Sequence, residues 1–306
     1  MPDFLVGLPM DKNQALGIPS VAAGRNLITG QISRTPLRAY KAGGEQIETP
    51  LWLTRTNGAI SPQMRLALTL DDLIFTGWAF WFVERGADGQ IVQASRCPRE
   101  DWHFDSQGRV VVGSQVVADG ILIPGPIPGG ILAVAQRTLR AALNVETIRD
   151  QRLRTPAAQT EIHVTDDSQL DSDEVAQVRD NYAAALRDSN GSIVVTPAGI
   201  EIREHNNVES DYFVEVQNSV AVNIAQHMGI PSALIDAAVS TGSSANLTYA
   251  NLNNQRSWFL DTTFNFWADP IVNRLSMDDV VPRGTYVAFD LSSLATTPPE
   301  PAALED

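Results

Sequence analysis

Residues 228–255 read MGIPSALIDAAVSTGSSANLTYANLNNQ, and they join two stretches that both read as helices. From Ala237 to Ala245 there is no charge and nothing larger than valine or threonine. A surface loop usually carries charge, and a core segment usually carries larger apolar groups. The stretch before, 211–228, puts Phe213, Val216, Val220, Ile224 and Met228 on one helical face. It stops at Gly229-Ile230-Pro231, a helix-end signal. The stretch after, 247–268, is helical in pattern and rich in aromatics, with Tyr249, Trp258, Phe259, Phe264, Phe266 and Trp267. Asp269-Pro270 is expected to break or kink it. The segment therefore reads as a small, neutral tip, bendable at Gly242 and the serines, on two firm arms.

Working outward, residues 18–33 read as a helix with Pro19 in its first turn. RTPLRAY (34–40) reads as a strand entering a turn. Residues 62–76 repeat leucines at helical spacing, and Gly77 ends that helix. WAFWFVE (78–84) and QIVQA (90–94) flank RGADG, a hairpin signal, and DWHFD and RVVVG flank SQG, a second one. GILIP (120–124) is one more strand, and GPIPGG (125–130) a hinge or linker. Residues 131–154 are helical and form the most basic part of the chain. Residues 160–206 read as a small βαββ insertion, whose helix opens with Asp171 and Glu174 in a capping-box-like spacing. TYVAFDLSSL (285–294) reads as a last strand. The Pro/Glu-rich 293–306 reads as a disordered tail.

The chain has 306 residues, 43% hydrophobic and 19% charged, which is an ordinary globular balance. With 36 acidic and 22 basic residues it carries a formal charge of -14. Tight nonspecific binding of nucleic acid needs a cationic surface, so a gripping DNA binder is disfavoured, though passing contact is not. The single cysteine, Cys97, excludes an intrachain disulfide and a cysteine-based zinc site. The opening residues lack a basic region followed by an apolar core, so no secretory signal is expected. The longest apolar runs are broken by Pro and Gly, so no membrane span is expected either.

No convergent catalytic set emerges. His103, His163, His205 and His227 include no helical metal pair. The acidic pairs Asp71-Asp72, Asp166-Asp167, Asp171/Asp173 and Asp278-Asp279 could be imagined as acid/base dyads of a hydrolase. Their positions favour solvated or capping carboxylates instead. GSSAN (242–246) lacks the strand and base that a serine nucleophile needs. The prolines of GPIPGG remove N–H groups from any phosphate cradle. Cys97 reads as a small buried residue. No enzyme activity and no cofactor are expected. Arg137, Arg140, Arg149, Arg152 and Arg154 have two readings. They form either a solvated face with partners such as Glu146 and Asp150 or a contact surface for an acidic neighbour, such as another copy of the chain.

In order and spacing, several stretches resemble the portal proteins of tailed bacteriophages, of the HK97 type. They are GIPSVAAGRNLITGQISRTPLRAY (17–40), TPLWLTRTN (49–57), LALTLDDLIFTGWAFWFVERGADGQIVQASRCPRE (66–100), MGIPSALI (228–235) and LTYANLNNQRSWFLDTTFNFWADPIVNRL (247–275). The family's Gly-Asn-Ala is here Gly77-Trp78-Ala79, and its first strand opens with Thr35-Pro36-Leu37. The C-terminal crown of larger portals is not expected.

The resemblance implies an α+β, portal-like fold with a mixed α/β wing, a helical stem, a small α/β clip and a tunnel loop. The wing would begin with 1–126. Stem helices would be 127–159 and 207–235, around a clip at 160–206. The tunnel loop would be 236–246, and 247–292 a long helix returning to the wing, ahead of the 293–306 tail. Val239, Ser240, Thr241, Gly242, Ser243, Ser244 and Ala245 would line a channel near DNA. The five arginines become candidates for the subunit interface, and Asp166, Asp167, Asp171, Asp173 and Glu174 for partner binding at the clip. The implied assembly is a homo-oligomeric ring, typically of twelve copies, at one capsid vertex of the virion, built in the host cytoplasm. Its implied partners are passing double-stranded DNA, major capsid protein, terminase large subunit and a head–tail adaptor, with no membrane. A different connector or minor capsid protein is the alternative.

Overall fold

The computed structural model describes residues 10–154, 160–164, 172–185, 200–204, 210–235 and 257–292. They divide into two compact units, residues 1–143 with 217–306, and residues 144–216. The first unit mixes helices and sheets, in keeping with the α+β expectation.

Its helical frame begins with α1 (Lys12–Leu16), which Asp11 and Gln14 close in a reciprocal capping box. Helix α2 (Pro19–Ile32) starts on a proline and buries Val21, Gly24, Ile28 and Ile32. A short turn, α3 (Leu51–Thr54), precedes α4 (Pro62–Thr76). The Ser61 side chain caps α4 by accepting from the Met64 N–H, and Gly77 ends it in the left-handed region at φ 76°. Gly77 is required there for a second reason. A Cβ would lie 2.6 Å from the Ile127 carbonyl oxygen and 2.7 Å from the Gly129 nitrogen.

Two sheets dominate this unit. Strand β1 (Leu37–Lys41) lies between β2 (Gln46–Ile47) and β11 (Thr285–Phe289), the latter antiparallel with Leu37 opposite Phe289. The central strand of the other sheet is β3 (Trp78–Arg85), between β4 (Ile91–Cys97) and β8 (Gly120–Pro124). The hairpin strands β5 (Trp102–Phe104) and β6 (Val110–Val112) join β7 (Gln115–Val116) in a small third sheet. The fully buried Leu70, Leu73, Ile74 and Phe75 of α4 belong to one core with Trp81 of β3.

The expected single helix 131–154 is in fact two, α5 (Gly130–Val134) and α6 (Gln136–Arg154). Ala135 leaves helical geometry between them, with φ −103° and ψ 12°. Of the break or kink expected at Pro270, the break does not occur. Pro270 sits inside α9 (Asn265–Leu275), which runs on to Leu275, and the irregularity lies upstream as a π-helical turn at Phe259–Phe264. An interior proline costs a helix about 3 kcal/mol. Trp267, Ile271 and Leu275 are fully buried on either side of it. Each such side chain contributes about 1.5–3 kcal/mol, so packing outweighs the local preference.

In the second unit, β9 (Thr160–Val164) pairs antiparallel with β10 (Ile200–Glu204), Val164 opposite Ile200. Helix α7 (Ser172–Ala185) lies between them in sequence. The third strand expected in this insertion, GSIVVT (191–196), lies outside the described residues. Both α6 and α8 (Ser210–His227) cross the boundary between the units along the chain.

Candidate functional site

The neutral segment that organises the sequence leaves the described residues at Ile235 and returns at Ser257. Its residues Val239 to Ala245 lie outside them, but both of its bases are described. At the first base, α8 closes on Gly229, at φ 65°. The Gly229 N–H donates to the Gln226 carbonyl (3.1 Å) and the Ile230 N–H to the Ala225 carbonyl (2.9 Å). This satisfies carbonyls that a helix end would otherwise leave open. Met228 is fully buried and Ile230 nearly so. They press on α2 where it carries Gly24. A Cβ at Gly24 would come within 2.8 Å of the Met228 sulfur and 2.9 Å of Ile230 Cδ1.

The second base holds the first. The Trp267 indole Nε1–H donates to the Met228 carbonyl (2.9 Å), and Thr263 Oγ1 donates to the Gly229 carbonyl (2.8 Å). Trp267 and Thr263 are both fully buried. The two arms are thus clamped by side-chain donors on backbone acceptors in a dry setting, where an unmade bond is expensive. His227 extends the seat, with Nε2 3.2 Å from Thr138 Oγ1 on α6. Sequence reading marked Gly229 and Pro231 as a helix stop. The Trp267 and Thr263 donors had no local signal, since their acceptors lie 39 and 34 residues away.

A second charged arrangement lies under the same unit. Asp71 and Asp72 are buried in α4, each 3% exposed. Their expected place in turns or at solvated helix starts is therefore a correction. Arg25 grips Asp71 through Nε (2.6 Å) and Nη2 (2.8 Å), and Lys12 Nζ adds a contact at 3.2 Å. Arg96 grips Asp72 in the same two-pronged way, at 2.6 and 2.7 Å. Burial raises the pKa of Asp72, against the hydrogen bonds and charge of Arg96, which lower it. Asp278 pairs with Arg283 and Asp279 with Arg274. Each of these carboxylates is taken up by a cation, so the hydrolase reading gains no support from the described residues. No group of His, Cys, Asp and Glu among them could hold a metal ion. Cys97 is buried as expected, its thiol pushed up to about 11 by burial.

The family model described as phage portal protein matches residues 19–303, both arms of the neutral segment included. The chain belongs to the phage portal protein family. Among solved structures it is similar to the crystal structure of an HK97 family phage portal protein from Corynebacterium diphtheriae. The two are 26% identical with a TM-score of 0.67, over 94% of this chain and 96% of that one. A chain from the neck of a native gene transfer agent (GTA) particle computed with C12 symmetry is 14% identical with a TM-score of 0.67, over 95% of this chain and 85% of that one. A chain from the neck of an empty GTA particle computed with C6 symmetry is 13% identical with a TM-score of 0.66, over 94% and 87%. At those identities the likeness to the two GTA chains is one of fold. No curated protein sequence matches the chain.

With the portal family established, the remaining predicted residues can be placed. Arg137 is exposed on α6, and the half-buried Arg140 bonds Gln136 through Nη2 (3.3 Å). Arg149 lies 3.6 Å from Asp150, both exposed, so that pair holds little energy. Arg152 and Arg154 belong to the last turn of α6, with side chains outside the described residues. Asp173 and Glu174 are exposed in the first turn of α7, where carboxylates suit a helix N-terminus. Asp166, Asp167 and Asp171 lie outside the described residues.

Proposed function

We propose that this portal-family chain assembles into a ring, with the neutral segment at the narrowest part of a channel for double-stranded DNA. The observation that carries the reading is the family match over 19–303, spanning a charge-free segment whose two bases are clamped together. Every fixed Lys or Arg contact to phosphate adds a salt-sensitive attraction, and repeated around a ring such contacts would brake translocation. Small neutral side chains at Val239–Ala245 offer none. The ring occupies one capsid vertex, serves packaging and ejection, and forms in the host cytoplasm before it is part of the virion. Its wing meets major capsid protein. Its clip, 160–206 with Asp166, Asp167, Asp171, Asp173 and Glu174, meets terminase large subunit and then a head–tail adaptor. The C12 symmetry of the GTA neck whose chain shares this fold supports twelve copies.

Two tests follow. Purified full-length protein viewed by negative-stain microscopy is expected to show rings with a central channel. A monodisperse monomer at micromolar concentration would overturn the reading. In a closed ring each copy presents two different, complementary faces, and the basic face of α6 is one candidate. Charge reversal at Arg149 and Arg152 (R149E with R152E) is expected to abolish rings in sedimentation velocity while leaving far-UV circular dichroism unchanged. Intact rings would remove α6 from the interface.

A further inference from the structure

In the first unit, a cavity of about 300 Å³ opens where the lead-in to β1 passes α3 and the start of α4. Pro36, Leu53, Leu66 and Trp81 supply apolar walls. Among the described residues its charged lining is Arg34 and Arg65, with no carboxylate, in a chain where acidic residues outnumber basic ones 36 to 22.

Arg65 is itself unusual. It is 3% exposed, yet among the described residues its guanidinium meets only backbone oxygens (Ala94, Trp52, Leu53) and the Trp81 ring, whose centroid is 4.4 Å away. Its Nε has no hydrogen-bond partner among the described residues. Burial lowers its pKa to about 10, and no carboxylate among the described residues holds it up. A buried cation without an anion calls for one. At the rim, the exposed Arg34 side chain makes no ion pair among the described residues.

The rim is also where the chain's last segment begins. β11 ends with Phe289 opposite Leu37, and the Asp290 N–H donates to the Pro36 carbonyl at 2.8 Å. Past Ser292 come SLATTPPEPAALED, residues 293–306, with Pro298, Pro299 and Pro301, three carboxylates and no basic group. Pro298 is six residues beyond Ser292, a reach of about 20 Å at full extension, so the cavity is within range of its own chain. Proline-rich segments fit apolar, aromatic-lined grooves because their extended helix loses little entropy on docking.

We infer that residues 293–306 dock on this cavity in their own chain, prolines on the apolar walls and Glu300 against the arginines. The docking is within one chain and does not depend on whether the ring forms.

The test uses the full chain with Gln63→Cys and Pro299→Cys, Gln63 being an exposed residue of the lining. Buried Cys97 is left in place. On mild oxidation an intrachain disulfide is expected, at a yield at least about tenfold above that in concentrated urea, since docking raises the effective concentration. Adding R34E is expected to lower the yield about fivefold, and adding E300R to that variant is expected to restore it. Thr54→Cys, also exposed and lining, paired with Pro299→Cys is expected to behave alike. Equal yields in buffer and urea, disulfides joining two chains, or indifference to both charge reversals would each overturn the proposal.

Discussion

Replacing Arg96 with methionine is expected to destabilise the first unit by about 3–5 kcal/mol at neutral pH, the usual cost of stranding a buried charge. Side-chain exposure is 10% for Arg96 and 3% for Asp72, so solvent cannot take over the role of the partner. Asp71, next along α4, keeps its own cations and offers nothing to Asp72 but repulsion. The loss should depend on pH in a definite direction. Burial already raises the Asp72 pKa with Arg96 in place, and removing Arg96 removes the largest influences that lower it, leaving the Lys12 charge alone against burial. A carboxyl whose folded pKa lies above its unfolded one contributes stability below the unfolded value and loses it as pH rises through the folded value. The variant's deficit is therefore largest at neutral pH and shrinks toward acid. Urea midpoints at pH 7 and pH 5 measure it, and D72N in the R96M background is expected to recover most of it. A deficit equal at both pH values would mean that Asp72 is not the stranded group.

The second large effect is expected at Trp267. Truncation to alanine removes a fully buried indole and the hydrogen bond that holds the Met228 carbonyl. Large-to-small changes of this kind cost about 3–5 kcal/mol. Trp267→Phe keeps most of the packing and leaves the carbonyl unpaired, which costs about 1–3 kcal/mol. Amide exchange separates the two losses. Both variants should speed exchange at Gly229 and Ile230, whose N–H groups close α8 on Gln226 and Ala225. If the phenylalanine variant exchanged there at the parent rate, the indole would be a packing group and not a clamp.

Much of this architecture was legible because its signals are local. Pro19, the leucines of 62–76 and Gly77 mark helices and their ends within a few residues, and each is found where the pattern put it. The hairpin of β3 and β4 follows from alternation around a Gly-containing turn. Where local preference met tertiary packing, packing won. Pro270 reads as a break or kink, and the burial of Trp267, Ile271 and Leu275 carries the helix through it. Asp71-Asp72 reads as a solvated pair because its partners are remote, Arg25 46 residues and Arg96 24 residues away. The seat of the neutral segment was half legible. Gly229 announced itself, while the donors that clamp it answer to backbone acceptors, which carry no residue-type signal. Arg65 was missed for a related reason. An arginine in a helical pattern reads as a solvated face, and only the assembled fold surrounds it with carbonyls and Trp81.

The pairing of β1 with β11 has a consequence for the order of events during synthesis. Leu37 to Lys41 find their neighbours at Thr285 to Phe289, and residues 144–216 form a compact unit between them. The inserted unit is complete on the ribosome before its host. At about 5–20 residues per second, the host sheet waits on the order of ten seconds or more for its closing strand. The β1 edge that faces β11 stays open in the meantime. The surfaces of a finished first unit therefore appear only after Phe289 is made, and until then the inserted unit is the one compact part a nascent chain can offer a neighbour.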